Sequence, residues 1–150
     1  MMNIENHGPA ISESDVAALE ARLGASLPEQ YRMFLLRFNG GSPPPGVVDV
    51  LGLEGGAADV QVLFGIRRSV RSSCLDWNIE TLAGRMKEGR LPIACDSGGS
   101  VFCISLHGGD RGAVSYCDLQ SVFGDLDAAP PLYPVASTFD SFLAGLRPFS

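Results

Sequence analysis

Apolar positions along this chain recur at two different periods, and the change between them marks the elements. In 11–24, ISESDVAALEARLG, Val16, Leu19 and Leu23 fall at i, i+3 and i+7, the spacing of one helical face. Ser12 or Ser14 can cap its start, with Asp15 three residues after Ser12 in capping-box spacing, and Gly24 can end it in a left-handed conformation. The segment 27–41 repeats the pattern more strongly: Tyr31, Phe34, Leu35 and Phe38 form a stripe behind Pro28, which suits a first helical position. Asn39-Gly40-Gly41 tolerates positive φ at the exit, and the prolines at 43–45 then forbid regular structure. Leu75, Ile79, Leu82 and Met86 predict a third helix over 75–86. Phe139, Phe142, Leu143 and Leu146 predict a last one over 137–146, where Ser137 and Asp140 stand in capping-box spacing.

Between the helices the period is that of strands. Runs of β-branched and aromatic residues predict strands over 47–53 and 60–66, with 54–59 as their connection. Three consecutive antiparallel strands follow over 91–95, 100–106 and 112–119, turned by the glycine pairs in 96–99 and 107–111. In the middle strand both alternating sets are apolar, Phe102, Ile104 and Leu106 on one side and Val101, Cys103 and Ser105 on the other. Such a strand is central and covered on both faces. The stretch 128–134, AAPPLYP, predicts no regular structure. No internal repeat or long linker divides the chain, so one domain is expected over 1–150, with 1–10 a loosely held polar tail.

Charge narrows the partners. The net charge is −6, which argues against phosphate-directed binding of nucleic acid. Residues 1–66 hold 3 basic and 8 acidic side chains, 67–90 hold 6 and 3, and 91–150 hold 2 and 6. An acidic chain of this kind steers toward a basic partner, although solubility alone also accounts for such a surface. The four cysteines form no C-x-x-C pair, so neither a zinc site nor a thioredoxin-like site is expected. With no basic n-region or apolar run after Met1, and no window of 18 apolar residues, neither a secretory signal nor a membrane span is expected. A cytoplasmic chain with reduced thiols fits.

Candidate chemistry is sparse. Asp96-Ser97-Gly98-Gly99-Ser100 resembles the serine-protease run GDSGGP, but a nucleophilic serine needs a base within hydrogen-bond reach. His7 lies in the N-terminal segment, and His107 at the far end of the strand that follows Ser97. The residues fit a hairpin turn better, and a small hydrolase using the Asp96–Ser97 turn remains the remote alternative. Asp96, Asp110 and Asp118 stand near strand ends, where carboxylates do acid–base or metal work or simply shape turns. The chain has no phosphate-cradling glycine motif, and the basic run 84–90 lacks interleaved aromatics. No cofactor or metal is expected. Trp77 points away from the Leu75 stripe, and packs under a loop or anchors a partner.

Four blocks, in order, resemble the SMI1/KNR4 proteins of the SUKH superfamily. They are Leu27-Pro28 with Tyr31, Phe34-Leu35 and Asn39-Gly40-Gly41; LPIACDSGGSVFCISL over 91–106; GAVSYCD over 112–118; and TFDSFLAGL over 138–146. The resemblance implies an α+β fold, a mostly antiparallel sheet flanked by N-terminal helices and a C-terminal helix. It implies no catalytic residues, and the matching positions look structural. Bacterial members are commonly immunity proteins that bind and neutralise toxins, often nucleases; fungal members are regulatory interaction proteins. The reading that follows is a non-enzymatic binding domain whose partner is a protein, a toxin with a basic surface. The alternative is a regulator or scaffold in the cell's own pathways. Partner-facing candidates are Asp49, Glu54, Asp59, Asp96, Asp110, Asp125 and Asp127, with Trp77 as the aromatic candidate. The stretch 42–90 departs most from the family pattern.

Overall fold

The computed structural model describes residues 3–125 and 127–149. Its order is α1 (Glu13–Leu23), α2 (Glu29–Arg37), β1 (Val47–Asp49), β2 (Ala57–Asp59), β3 (Val62–Leu63), α3 (Leu75–Thr81), β4 (Arg90–Cys95), β5 (Val101–Ser105), β6 (Val114–Cys117), β7 (Leu132–Ala136) and α4 (Phe139–Ala144). Short 3-10 turns precede α3 and follow β6. The class is α+β. Strands β3-β4-β5-β6-β7 form one antiparallel sheet in sequence order, and β1 and β2 pair as a separate hairpin.

The central strand is β5, buried at every position as its two apolar sets predict. Its Phe102 side packs on the helices through a chain of aromatic rings. Phe102 lies 5.1 Å from Phe142 and 5.2 Å from Tyr116, and Phe139 lies 5.0 Å from Phe34 and 5.1 Å from Tyr31. These are edge and tilted contacts in the favourable range for rings. The stripes on α2 and α4 therefore meet each other and the same face of the sheet.

Helix α1 begins as its sequence predicts. Ser12 caps it in a reciprocal box with Asp15, and Gly24 closes it at φ 69°. Replacing Ser12 by alanine removes the N-cap acceptor and should lower stability by about 1 kcal/mol, read as a shift of the urea midpoint with unchanged slope. An unmoved midpoint would show that Asp15 holds the end alone, through its ion pair with Arg67 at 3.0 Å.

Several boundaries differ from the sequence pattern. Pro28 is the N-cap of α2 rather than its first helical residue. Helix α3 stops at Thr81, because the chain turns at Gly84 with φ 80°; Leu82 and Met86 still reach the core from that turn. The capping box of α4 is Thr138 with Ser141, one residue beyond the expected Ser137–Asp140 pair. The strand expected over 60–66 is reduced to Val62–Leu63, while Ala57–Asp59, taken as connection, pairs with β1. The last three residues of AAPPLYP open β7. Pro134 is tolerated because β7 is an edge strand and the register shifts beside it.

Residues 1 and 2 of the expected loose tail lie outside the described residues. Within the remainder, Ile4 enters the core, and Glu5 and Ser42 exchange backbone hydrogen bonds of 2.9 and 2.7 Å. Buried Asn39, at φ 51°, donates to the Pro9 and Ile66 carbonyls and accepts from the Ile66 N–H. This one side chain ties the N-terminal segment to the exit of β3. Gly41 lets the segment approach: a Cβ there would stand 2.5 Å from Ile4 and 2.6 Å from the Glu5 carbonyl.

Candidate functional site

The Asp96–Ser100 segment is a hairpin turn between β4 and β5, and its hydrogen bonds explain the residue types. Asp96 Oδ1 accepts from the N–H groups of Gly98 (3.0 Å) and Ser100 (2.8 Å), while Gly99 takes φ 96°. Asp96 Oδ2 accepts from the Tyr116 hydroxyl on β6. Burial, and then that bond to a carboxylate, hold the Tyr116 phenol well above its usual range. Asp96 was expected to face a partner; it is only 9% exposed, and both its oxygens are engaged within the protein.

Ser97 meets a carboxylate rather than an imidazole. Its Oγ donates to Asp59 Oδ1 at 3.0 Å, and its N–H lies 3.1–3.2 Å from both Asp59 oxygens. Each histidine is engaged elsewhere. His7 packs edge-on against Phe38 at 4.9 Å, and His107 lies against Gly89. The Asp59–Ser97 contact fastens the β1–β2 hairpin to the main sheet.

Around that fastening the fold gathers four of the seven acidic candidates. Glu54, Asp59 and Asp96 line a cleft of about 460 Å³ with Ser97, Tyr116 and Phe149. Asp49 lies on β1 of the same hairpin, opposite Ala57, and its carboxylate pairs with Arg147 at 2.8 Å. Two large apolar side chains stand exposed here: Leu51, 88% exposed in the hairpin loop, and Phe149 at the cleft. Acids beside exposed apolar anchors make a surface suited to a protein partner with cationic side chains. No grouping of three or more metal-ligating side chains occurs among the described residues.

The other candidates lie apart. Asp110 is in the β5–β6 turn, the opposite end of β5 from Ser97, where Ser105 Oγ (2.9 Å) and Arg90 (3.3 Å) bond its carboxylate. These hold its pKa below the ordinary carboxylate value, the Ser105 bond being the larger cause. Asp118 accepts from the Ser121 N–H at 3.2 Å, as a turn-shaping aspartate does. Exposed Asp125 and Asp127 belong to the loop after β6, where Asp125 accepts from the Asp127 N–H and its carbonyl from Arg85. Trp77 is half-buried on α3, between its two expected states. The sequence pattern does not contain the convergence of Asp59 on Ser97 or the exposure of Leu51 and Phe149. Its only signal was the turn-rich, acidic character of 47–59.

Residues 10–145 match the family model described as SMI1 / KNR4 family (SUKH-1). The chain belongs to that family. A comparison with curated proteins finds no match. Membership agrees with the α+β class and supports, in general, an immunity-type family role. The SUKH-1 blocks map to the interior: Tyr31, Phe34, Leu35, Leu91, Ile93, Phe139 and Phe142 are all buried. They hold the shape, and Asp49, Glu54 and Asp59 lie on the β1–β2 hairpin outside those blocks. No helix among the described residues is long and apolar enough to cross a membrane.

Proposed function

We propose that this SUKH-1 protein is an immunity protein that neutralises a cognate toxin by direct binding. The carrying observation is the hairpin end, where Glu54 and Asp59 line a cleft with exposed Phe149, and Asp49 and exposed Leu51 lie on the same hairpin. Toxins that act on nucleic acid present basic grooves to phosphates, and an acidic surface competes for such a groove and associates rapidly. Leu51 supplies an apolar anchor, while the carboxylates set approach and orientation. Asp96 acts from beneath, by shaping the turn that Asp59 grips. The protein performs no chemistry in this reading and works in the cytoplasm, where it meets its toxin.

The test is co-expression with the toxin encoded beside this gene. Restored growth and a stable complex on gel filtration are expected. Growth that stays arrested, together with separate elution of the two proteins, would remove the proposal and leave the regulatory role.

A further inference from the structure

A second surface lies on the helical side of the molecule, and its Pro44–Leu146 edge adjoins the start of β1. Helices α2 and α4 and the N-terminal segment wall a groove of about 720 Å³, lined by Ile4, Met33, Phe34, Phe38, Leu143 and Leu146. Met33 lies 56% exposed on its wall.

The charges of the groove are its most informative feature. Asp140 and Arg37 both line it. Gln30 Oε1 accepts from the Asp140 N–H at 2.9 Å, so Asp140 sits beside the first turn of α2. Arg37 closes α2 seven residues after Gln30, about 10 Å further along the helix axis. Among the described residues neither side chain has an ion-pair partner, and the Arg37 guanidinium lies 5.1 Å above the Phe38 ring. The groove therefore carries one charge of each sign at its two ends, with Met33 between them. It is locally neutral in a chain of net charge −6, so it is poorly matched to the cationic partner that suits the hairpin end.

We infer that the groove is the interface with a second copy of this chain. A two-fold axis near Met33 sets Arg37 of each copy against Asp140 of the other, and both pairings form at once because such an interface is isologous. Met33 of each copy enters the groove of its mate and removes exposed apolar surface from water. Asp49, Glu54 and Asp59 do not line the groove, so the pairing is distinct from the surface of the proposed function.

The experiment measures molar mass by light scattering over a concentration series on the full chain. The wild type moves toward the dimer mass as concentration rises. Arg37→Glu or Asp140→Arg alone sets like charges together twice per dimer and weakens association by about tenfold. The double variant Arg37→Glu/Asp140→Arg restores association, a result that a purely structural role for either residue would not give. Met33→Glu keeps the wild-type circular dichroism spectrum and yields only monomer. A wild type that remains monomeric throughout overturns the inference. So does a Met33→Glu variant that loses toxin binding while the wild-type mass stays that of a monomer, since the groove would then belong to the toxin.

Discussion

Replacing Asp96 by alanine should lower the free energy of unfolding by about 3 kcal/mol, a large loss for a single turn substitution. The expectation follows from what the carboxylate holds. Two backbone donors of the turn, Gly98 and Ser100, and the Tyr116 hydroxyl all point at it, and Ser100 and Tyr116 are buried. Removing the acceptor strands those donors where water does not reach them, and each stranded group costs about 1–3 kcal/mol. Asp96→Asn keeps one carbonyl oxygen and should cost roughly half as much, since its Oδ1 can still accept from the turn while the charge assistance is lost. Tyr116→Phe removes a single donor and leaves Asp96 its two backbone partners. Urea unfolding followed by circular dichroism ranks the three. A loss below about 0.5 kcal/mol for the alanine variant would mean the carboxylate faces water, and Asp96 would return to the set of partner-facing acids.

The same aspartate shows how far the sequence could be read. Asp-Ser-Gly-Gly-Ser names its own turn, because an aspartate five residues before a strand and a glycine at positive φ are local requirements. The capping box at Ser12 and the double-sided burial of β5 are legible for the same reason. Features that depend on distant residues were not legible. Asp59 meets Ser97 across 38 residues, and nothing in either segment states that distance will close. Pro134 suppresses a strand when read alone, yet belongs to β7 once an edge position and a register shift make its missing N–H harmless. The Leu82–Met86 pair kept its apolar spacing after α3 had ended, because burial selects apolar residues in a turn as readily as in a helix. Among the acids, type and number were legible, whereas facing direction was not. Asp96 points inward, Asp110 and Asp118 serve their own turns, and Asp49, Glu54 and Asp59 gather at one end.

That gathering sets the most demanding expectation. Under the proposed immunity function, reversing Asp49 and Glu54 together to lysine should slow association with the cognate toxin by about tenfold to a hundredfold at low salt. Each reversal adds two positive charges, taking the net charge from −6 to −2, so the placement of the change must be separated from its size. Glu29→Lys with Glu88→Lys supplies the control. Both residues are exposed and the change in net charge is identical. Glu29 follows Pro28, which contacts Gly112 at the β5–β6 end, and Glu88 precedes Gly89, which contacts His107 at that same end. If attraction is focused at the hairpin, the first pair slows association steeply and the second only slightly. The difference should shrink as added salt shortens the screening length to the order of 10 Å and below. Asp59 is left intact because its two oxygens hold the Ser97 N–H and hydroxyl, and its loss would move the hairpin as well as the charge, whereas Asp49 gives up only an exposed ion pair with Arg147. Leu51→Ala should act on the other rate: an apolar anchor holds a formed complex, so dissociation quickens while association is hardly altered. Stopped-flow mixing of the purified pair reads both rates. Equal slowing by the two lysine pairs would assign the effect to net charge alone. A complex indifferent to all of these changes would move the toxin-binding surface away from the β1–β2 hairpin altogether.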